Sequence, residues 1–251
     1  LQTPIQAKWP GFQYVSFDDL ESLNDAMSDQ TAFILTSPND PSGAGRVLSN
    51  DYLRAVRELA DQHELLWIAD DRMTVAGSSG CISATQSLSD SSPDVVLLRG
   101  GLMANESGGL AIGNEAWFES AQSSSSLVPW SVANPWLVSV VEWSLGLISN
   151  EGTISRANDH FQSVVRSIAS SLGSGSVVRD VHPLGGTIGL ETDLPTNEVL
   201  SELSKSGIIA EPAGPNGILL HLPMDSSSEP SWVAAFANAL QLTHEAAGET
   251  T

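Results

Sequence analysis

The chain has 251 residues and a hydrophobic fraction of 41%, which suits one large or two modest globular domains and excludes a disordered chain. Ten basic and 30 acidic residues give a formal net charge of −20, which argues against nucleic acid and anionic membranes as partners. The single cysteine, Cys81, excludes an intramolecular disulfide. Because the sequence shows neither a membrane-length apolar run nor a signal-peptide pattern, we expect a cytoplasmic protein.

The first half of the sequence alternates strand and helix patterns. In chain order it predicts a helix at 17–27, a buried strand at 31–36, a loop at 37–45, a helix at 49–63, a buried strand at 65–69, a turn-rich loop at 77–80, and strands at 95–98 and 110–113. Ser49 is a suitable N-cap for the second helix, and Leu53 and Val56 fall on its apolar face. This alternation predicts a mostly parallel α/β sheet with flanking helices.

Three positions come directly after the predicted strands or within two residues of their ends. Ser37 follows the first strand, Asp70 the second and Gly100 the third. In parallel α/β sheets, ligands bind beyond the carboxyl ends of the strands. The sequence therefore predicts a site at this edge of the sheet before any family is considered.

The second half of the sequence predicts a smaller α/β domain. Its patterns indicate helices at 134–149 and 155–172, strands at 176–181 and 187–191, a helix at 196–206, short strands near Ile208 and Ile218, and a last helix at 230–242. We expect the chain to divide into domains at 1–148 and 149–251. The serine run at 123–126 predicts a surface loop, and no internal repeat is visible.

Several stretches resemble one enzyme family in their order and spacing. They are T-A-F-I-L at 31–35, S-N-D-Y-L-R-A-V-R-E-L-A-D-Q-H at 49–63, L-L-W-I-A-D-D at 65–71, M-T-V-A-G-S-S-G at 73–80, S-P-D-V at 92–95, A-N-P at 133–135, V-R-D-V-H-P-L-G-G at 178–186 and E-P-A-G-P-N at 211–216. Together they resemble class III aminotransferases, which are pyridoxal-phosphate enzymes of fold type I, and in particular those of the acetylornithine aminotransferase kind. The loop S-P-N-D-P-S-G at 37–43 is also similar to a loop of class I aminotransferases, which share the fold.

The resemblance covers nearly all of this chain but only the later part of a family member. We therefore expect the N-terminal segment of the family to be absent, together with its glycine-rich phosphate cup and the aromatic residue that stacks on the cofactor ring. The fold implied is a portion of the large domain of a fold type I enzyme, followed by its small C-terminal domain.

The resemblance implies a lysine that holds pyridoxal 5′-phosphate as a Schiff base, six residues after Asp94. That position is Gly100, and no lysine occurs between Lys8 and Lys205. The preceding residue, Arg99, is no substitute because a guanidinium stays protonated and is a poor nucleophile. We therefore expect no catalytic residue and doubt that the cofactor binds.

Five further family positions are identified by the resemblance. Asp70 matches the carboxylate that pairs with the cofactor's ring nitrogen, although it also suits an ordinary polar strand end. Met73 replaces a glutamine that contacts the ring hydroxyl, and Trp130 replaces a threonine that reaches the cofactor phosphate of the neighbouring subunit. On the substrate side, Ser37 replaces a glutamate and His182 replaces the arginine that grips the substrate carboxylate.

Three functions remain open at this stage. The first is a catalytically silent homologue that acts by binding, as a homodimer or as a heterodimer with a related aminotransferase. In that case Trp130, Trp136 and Trp143 either line the interface or pack in the core. The second is a working aminotransferase that moves an amino group from an acetylornithine- or ornithine-type donor to 2-oxoglutarate, with a lysine from elsewhere. The third is a lysine-free protein that binds the cofactor non-covalently. The five histidines show no metal-ligand spacing.

Overall fold

The computed structural model describes residues 11–74, 76–103, 108–123, 134–149, 152–172, 176–222 and 232–240. They fall into two compact units. The first takes its described residues from 1–38, 48–77 and 81–153, and the second from 39–47, 78–80 and 154–251. The two-domain division at residues 148 and 149 stays a prediction.

The elements follow one another in an order close to the predicted one. The first part of the chain forms α1 (Leu20–Ala26), β1 (Phe33–Thr36), β2 (Asn39–Asp40), β3 (Arg46–Val47), α2 (Asn50–Gln62), β4 (Leu66–Asp70), α3 (Ala84–Leu88), β5 (Val95–Leu98), a 3-10 helix (Gly100–Met103), β6 (Leu110–Gly113), α4 (Glu115–Ser123) and α5 (Pro135–Ile148). The second part forms α6 (Thr153–Ser171), β7 (Val178–Leu184), β8 (Thr187–Thr192), α7 (Thr196–Lys205), β9 (Glu211–Pro212), β10 (Gly217–His221) and α8 at 232–240.

The first unit contains a four-stranded sheet in the order β1-β4-β5-β6. The pairs β1–β4 and β4–β5 are parallel, and β6 is antiparallel to β5. The register places Thr36 opposite Ala69 and Asp70 opposite Leu97. The mostly parallel sheet is therefore confirmed, and the carboxyl ends of β1, β4 and β5 lie along one edge.

A buried polar network fixes α2 to this sheet. The Trp67 side chain is fully buried, and its indole N–H donates to the Thr36 hydroxyl at 2.9 Å. One carboxylate oxygen of Asp94 accepts from the Trp67 backbone N–H at 2.8 Å and from the Arg57 guanidinium at 3.0 Å. The same guanidinium lies 5.7 Å from the centre of the Trp67 ring. Every strong donor of the tryptophan is thus satisfied, which a buried polar group requires.

The second unit contains an antiparallel sheet in the order β7-β8-β10-β9, and its core lies among this sheet, α6, α7 and α8. The hairpin β2–β3 belongs to the same unit. Its turn packs backbone against backbone, because Ala44 N–H donates to the Ala213 carbonyl at 2.9 Å. A Cβ atom added at Gly189 or at Gly217 would overlap Ala44. Glycine is therefore required at both positions for this close approach.

An ion pair closes the same hairpin. Asp40 accepts from the Ser42 hydroxyl at 2.7 Å and from Arg46 at 3.1 Å. Burial alone would raise the pKa of Asp40, but the hydrogen bonds from Ser42 and Arg46 outweigh burial and hold the pKa below its ordinary value. The turn is thereby held in the shape that fits the sheet.

Some elements differ from the predicted ones. The strand expected near Ile208 is absent, because the Ile208 N–H donates to the Leu203 carbonyl and closes the end of α7. The next strand is β9, at Glu211–Pro212. The helices α3 and α4 were not predicted; α3 has only five residues, too few for a helical period to show in the sequence. The predicted loop at 123–126 lies outside the described residues except for Ser123.

Candidate functional site

The carboxyl edge of the first unit's sheet carries four of the predicted site residues. Ser37 follows β1, Asp70 ends β4, Met73 lies in the loop after β4, and Gly100 starts the 3-10 helix after β5. The parallel pairing of β1, β4 and β5 brings the ends of these strands to one edge, as the sequence predicted. The roles that the resemblance assigns to the four residues stay predictions.

Asp70 is engaged by a neighbouring cation. The Arg72 guanidinium donates to both oxygens of the carboxylate, through Nε at 2.7 Å and Nη2 at 2.6 Å. The Arg72 backbone N–H donates to the same carboxylate at 3.2 Å. The Asp70 side chain is 18% exposed and that of Arg72 is 51% exposed. The hydrogen bond to Asp70 raises the pKa of the Arg72 guanidinium further above its already high ordinary value.

The adjacent carboxylate, Asp71, is fully buried and serves the local fold. It accepts from the Ser83 hydroxyl at 2.5 Å, the Thr85 hydroxyl at 2.6 Å and the Thr85 backbone N–H at 3.2 Å. Its backbone carbonyl accepts from the Thr74 hydroxyl at 2.9 Å. Asp71 therefore ties the chain that follows β4 to the start of α3. Sequence reasoning did not predict this role, since neither Ser83 nor Thr85 stands out by spacing.

The positions of Gly100 and Met73 are open. Gly100 has a φ of +76°, and a Cβ atom added to it would meet no atom within 4 Å. A close neighbour therefore does not require glycine at position 100, although the positive φ favours it. The Met73 side chain is 49% exposed, and its thioether is at best a weak hydrogen-bond acceptor.

The other two predicted site residues, His182 and Trp130, do not belong to this sheet edge of the first unit's described residues. His182 lies on β7 in the second unit, and its Nε2 atom is buried without a hydrogen-bond partner among the described residues. The nearest acidic atom is Oδ2 of Asp180, at 3.9 Å. Trp130 lies outside the described residues, so its position stays a prediction.

The side-chain amines of this chain are its two lysines, Lys8 and Lys205. Lys205 lies at the end of α7 in the second unit, 66% exposed, and its ammonium donates to Glu202 at 2.5 Å. Lys8 lies outside the described residues.

Across the described part of the chain, no three histidine, cysteine or acidic side chains are grouped as a metal site requires. None of the helices in that part has the length and apolar character needed to cross a membrane.

Comparison with known proteins identifies the family. Residues 5–230 match the family described as Aminotransferase class-III. The chain belongs to the class III aminotransferase family. It is similar to the acetylornithine aminotransferase of Agrobacterium fabrum, with 26% identity over 229 residues, which is 88% of this chain and 55% of that relative. Ornithine aminotransferase 2 of Staphylococcus aureus is 36% identical over 88 residues, which is 35% of this chain and 22% of the relative.

This class III chain spans about half the length of the curated relatives it matches along most of its residues. Among solved structures, the ornithine δ-aminotransferase of Plasmodium falciparum has a TM-score of 0.81 at 20% identity, covering 95% of this chain and 63% of that one. The N-acetylornithine aminotransferase of Stenotrophomonas maltophilia has a TM-score of 0.78 at 21% identity, covering 97% and 64%. The predicted fold type I is confirmed.

Class III aminotransferases depend on pyridoxal 5′-phosphate, and the cofactor sets three requirements for the residues of its site. A Schiff base needs an amine beside the ring, and position 100 is a glycine, which has none. A protonated ring nitrogen needs an unpaired carboxylate as counter-ion, and Asp70 already forms a bidentate ion pair with Arg72. A ring hydroxyl needs a hydrogen-bonding partner, and Met73 supplies only sulfur. The described residues do not fit a covalently held cofactor.

Proposed function

We propose that this chain is a catalytically silent class III aminotransferase that acts by binding. The observation that carries the proposal is the glycine at position 100, in a sequence with no lysine between Lys8 and Lys205. Without an amine at that position, no Schiff base forms there, and proton transfer by a lysine is lost with it. We expect such a protein to act in the cytoplasm.

The only described lysine offers a poor replacement. Lys205 belongs to α7, a helix of the second unit that packs against β9 and β10. Its ammonium is already paired with Glu202, one turn earlier on the same helix. Both the glycine at position 100 and the pairing of Lys205 therefore support the loss of catalysis.

A surface of the first unit supports the binding role. Trp136 and Trp143 are each 64% exposed and stand two turns apart on α5. Leu147 continues the same exposed face one turn further along. The packing of these two tryptophans into the core of this chain, an alternative left open by the sequence, is not what the structure shows. Large exposed apolar side chains on one face are typical of protein contact sites.

The partner that we propose is a related class III aminotransferase chain. The helix α5 carries one charged residue, Glu142, so its contacts are mainly apolar. A second copy of this chain would bring two net charges of −20 together, whereas a less acidic relative avoids that repulsion. A heterodimer is therefore favoured over the homodimer, and the homodimer becomes an outcome of the test.

The test uses the purified full chain and a tagged class III aminotransferase from the same genome. We expect a complex with one copy of each chain by light scattering after size exclusion, and its loss in the double variant Trp136→Ser/Trp143→Ser. The matched control is Trp117→Ser, at an exposed tryptophan on α4, which should keep the complex. If this chain forms a dimer on its own, the partner is a second copy of the chain and not a relative. A monomer under all conditions would refute the binding role.

The competing function is a working aminotransferase with an acetylornithine- or ornithine-type donor and 2-oxoglutarate as acceptor. It requires a lysine from Lys205, Lys8 or another chain. A coupled assay for glutamate formation separates the two functions. We expect the purified chain with added pyridoxal 5′-phosphate to give no turnover above the protein-free rate. Turnover that disappears in Lys205→Ala would establish the enzyme and reject the silent homologue.

A further inference from the structure

We infer that Arg72 acts as an internal counter-ion that closes the Asp70 carboxylate to an external cationic ring. The chain's own guanidinium thus serves Asp70 as the cationic partner, a role that the resemblance gives to the ring nitrogen of the cofactor. This inference goes beyond the missing lysine, because it concerns the ring-binding end of the site and would hold even if an amine were restored at position 100.

The geometry of the pair supports this assignment. Arg72 follows Asp70 by two residues, and its Nε and Nη2 atoms bind separate carboxylate oxygens at 2.7 and 2.6 Å. Such a bidentate arrangement is the strongest that an arginine forms with a carboxylate. The Arg72 backbone N–H adds a third bond at 3.2 Å. In the described part of the chain, the hydrogen-bond donors to Asp70 therefore all belong to one residue.

The position of the pair explains why it matters for a ligand. Asp70 ends β4 at the carboxyl edge of the sheet, where α/β sheets bind their ligands. A pyridinium N–H that bonded to Asp70 would bring a second positive charge close to the guanidinium, and like-charge repulsion opposes this. Arg72 also already neutralises the carboxylate, so Asp70 attracts a second cation less strongly. Arg72 thus disfavours a protonated ring nitrogen at this carboxylate.

The pair also differs from its buried neighbour. Asp71 is fully buried and bound to hydroxyl and backbone groups of the α3 region, so it belongs to the fold. Asp70 remains partly exposed, and among the described residues its hydrogen bonds come from Arg72, whose side chain is half exposed. Removing the guanidinium is therefore expected to free the carboxylate without disturbing the core.

The experiment measures binding of pyridoxal 5′-phosphate to the full chain by absorbance and by change in melting temperature, for Arg72→Gln and for Arg54→Gln. Arg54 is an exposed arginine on α2 that pairs with Asp51, so its loss changes net charge equally. We expect Arg72→Gln to lower the dissociation constant about fivefold relative to Arg54→Gln, which corresponds to about 1 kcal/mol. Arg72→Met serves as a second variant should Arg72→Gln fold poorly.

A cofactor analogue with carbon in place of the ring nitrogen completes the test. With 1-deaza-pyridoxal 5′-phosphate, the gain of Arg72→Gln over Arg54→Gln should vanish, because no ring N–H is left to use Asp70. The same affinity in the two variants, including no detectable binding in either, would overturn the inference. So would an equal gain with the deaza analogue. Neither result depends on amino transfer, so the outcome is separate from that of the proposed function.

Discussion

The two units differ in how completely they bury their apolar residues. In the second unit, β8 and β10 each bury four consecutive residues, as strands covered on both faces do. In the first unit, the edge strand β1 leaves Phe33 and Leu35 exposed, and α5 exposes two tryptophans. Among its described residues, the second unit therefore leaves only Ile209 exposed as a large apolar side chain, whereas the first unit exposes several, on β1 and α5 among other elements.

Within the first unit, the residues that stabilise the sheet differ from those that the resemblance places at the site. The first unit keeps the buried Trp67 and its hydrogen bonds intact, although the family positions at the edge of the same sheet hold Gly100 and Met73. A sheet is stabilised by the residues between it and its helices, and the side chains at its edge contribute little. The fold of the sheet therefore does not depend on which side chains stand at its carboxyl edge.

The substitution with the greatest effect on stability is expected in the second unit, where the hairpin β2–β3 packs closely against the sheet. In Gly189→Ala the added methyl group overlaps the Ala44 carbonyl, so the hairpin β2–β3 must move from the sheet. We expect a loss of about 3 kcal/mol in the free energy of unfolding, measured with urea. The matched control is Gly146→Ala in α5, where an added Cβ meets no atom within 4 Å. That helix substitution should be neutral or stabilise by up to about 1 kcal/mol.

The next effect compares two adjacent carboxylates of the first unit. Asp71→Asn replaces a buried acceptor of three hydrogen bonds with an amide that turns two N–H groups toward donors. We expect a loss of about 2 kcal/mol in unfolding free energy. Asp70→Asn removes a partly exposed ion pair and should change stability by less than about 1 kcal/mol. Equal losses in the two variants would show that Asp70 is as structural as Asp71.

The third effect appears only at alkaline pH. Burial of Tyr52, with smaller contributions from the charges of Asp18 and Asp19, raises the pKa of its phenol to about 12. An unfolded tyrosine has a pKa of about 10. Between pH 10 and pH 12, the Tyr52 phenol is therefore protonated in the folded chain and mostly ionised in the unfolded chain. The stabilisation is complete below pH 10 and falls as pH rises toward 12.

Tyr52→Phe should remove that alkaline loss. We expect the fall in unfolding free energy between pH 9 and 12 to shrink by about 2 kcal/mol relative to the wild type, measured by urea denaturation at each pH. Tyr14→Phe, at an exposed tyrosine, is the matched control and should follow the wild-type curve. An unchanged slope in Tyr52→Phe would count against burial of the neutral phenol.

The smallest effect concerns the exposed face of α5. Trp136→Ser should change the free energy of unfolding of the isolated chain by no more than about 0.5 kcal/mol, because the side chain makes few contacts there. Its main effect should be on association with the partner. A loss of more than about 2 kcal/mol in the unfolding free energy of the dilute monomer would show that Trp136 stabilises the first unit as a buried side chain does.

Much of the fold could be predicted from the pattern of apolar residues. The strands at β5 and β6 match the predicted ranges, and the helices α2, α5 and α7 differ from theirs by a residue or so at each end. Ser49 caps α2 as expected, with its hydroxyl accepting from Tyr52 N–H. These elements are long or strongly periodic, so local sequence determines them. Short elements such as α3 depend on contacts such as the one from Asp71, which no period reveals.

The candidate site could be predicted only in outline. Strand ends placed Ser37, Asp70 and Gly100 at one edge, since parallel pairing follows from the alternation of strand and helix. The pairing of Asp70 with Arg72 could not be predicted, because it depends on the direction of a long side chain. The backbone contact at Gly189 likewise joins segments far apart in the chain, so spacing alone gives no sign of it.

Whether this chain forms a Schiff base is tested by borohydride reduction of the purified chain with one equivalent of pyridoxal 5′-phosphate, followed by mass spectrometry of its peptides. We expect no stoichiometric pyridoxyl adduct on Lys8 or Lys205, the two lysines of the sequence. A reduced adduct at one copy per chain on either lysine, formed together with amino transfer, would contradict this expectation and show a working aminotransferase.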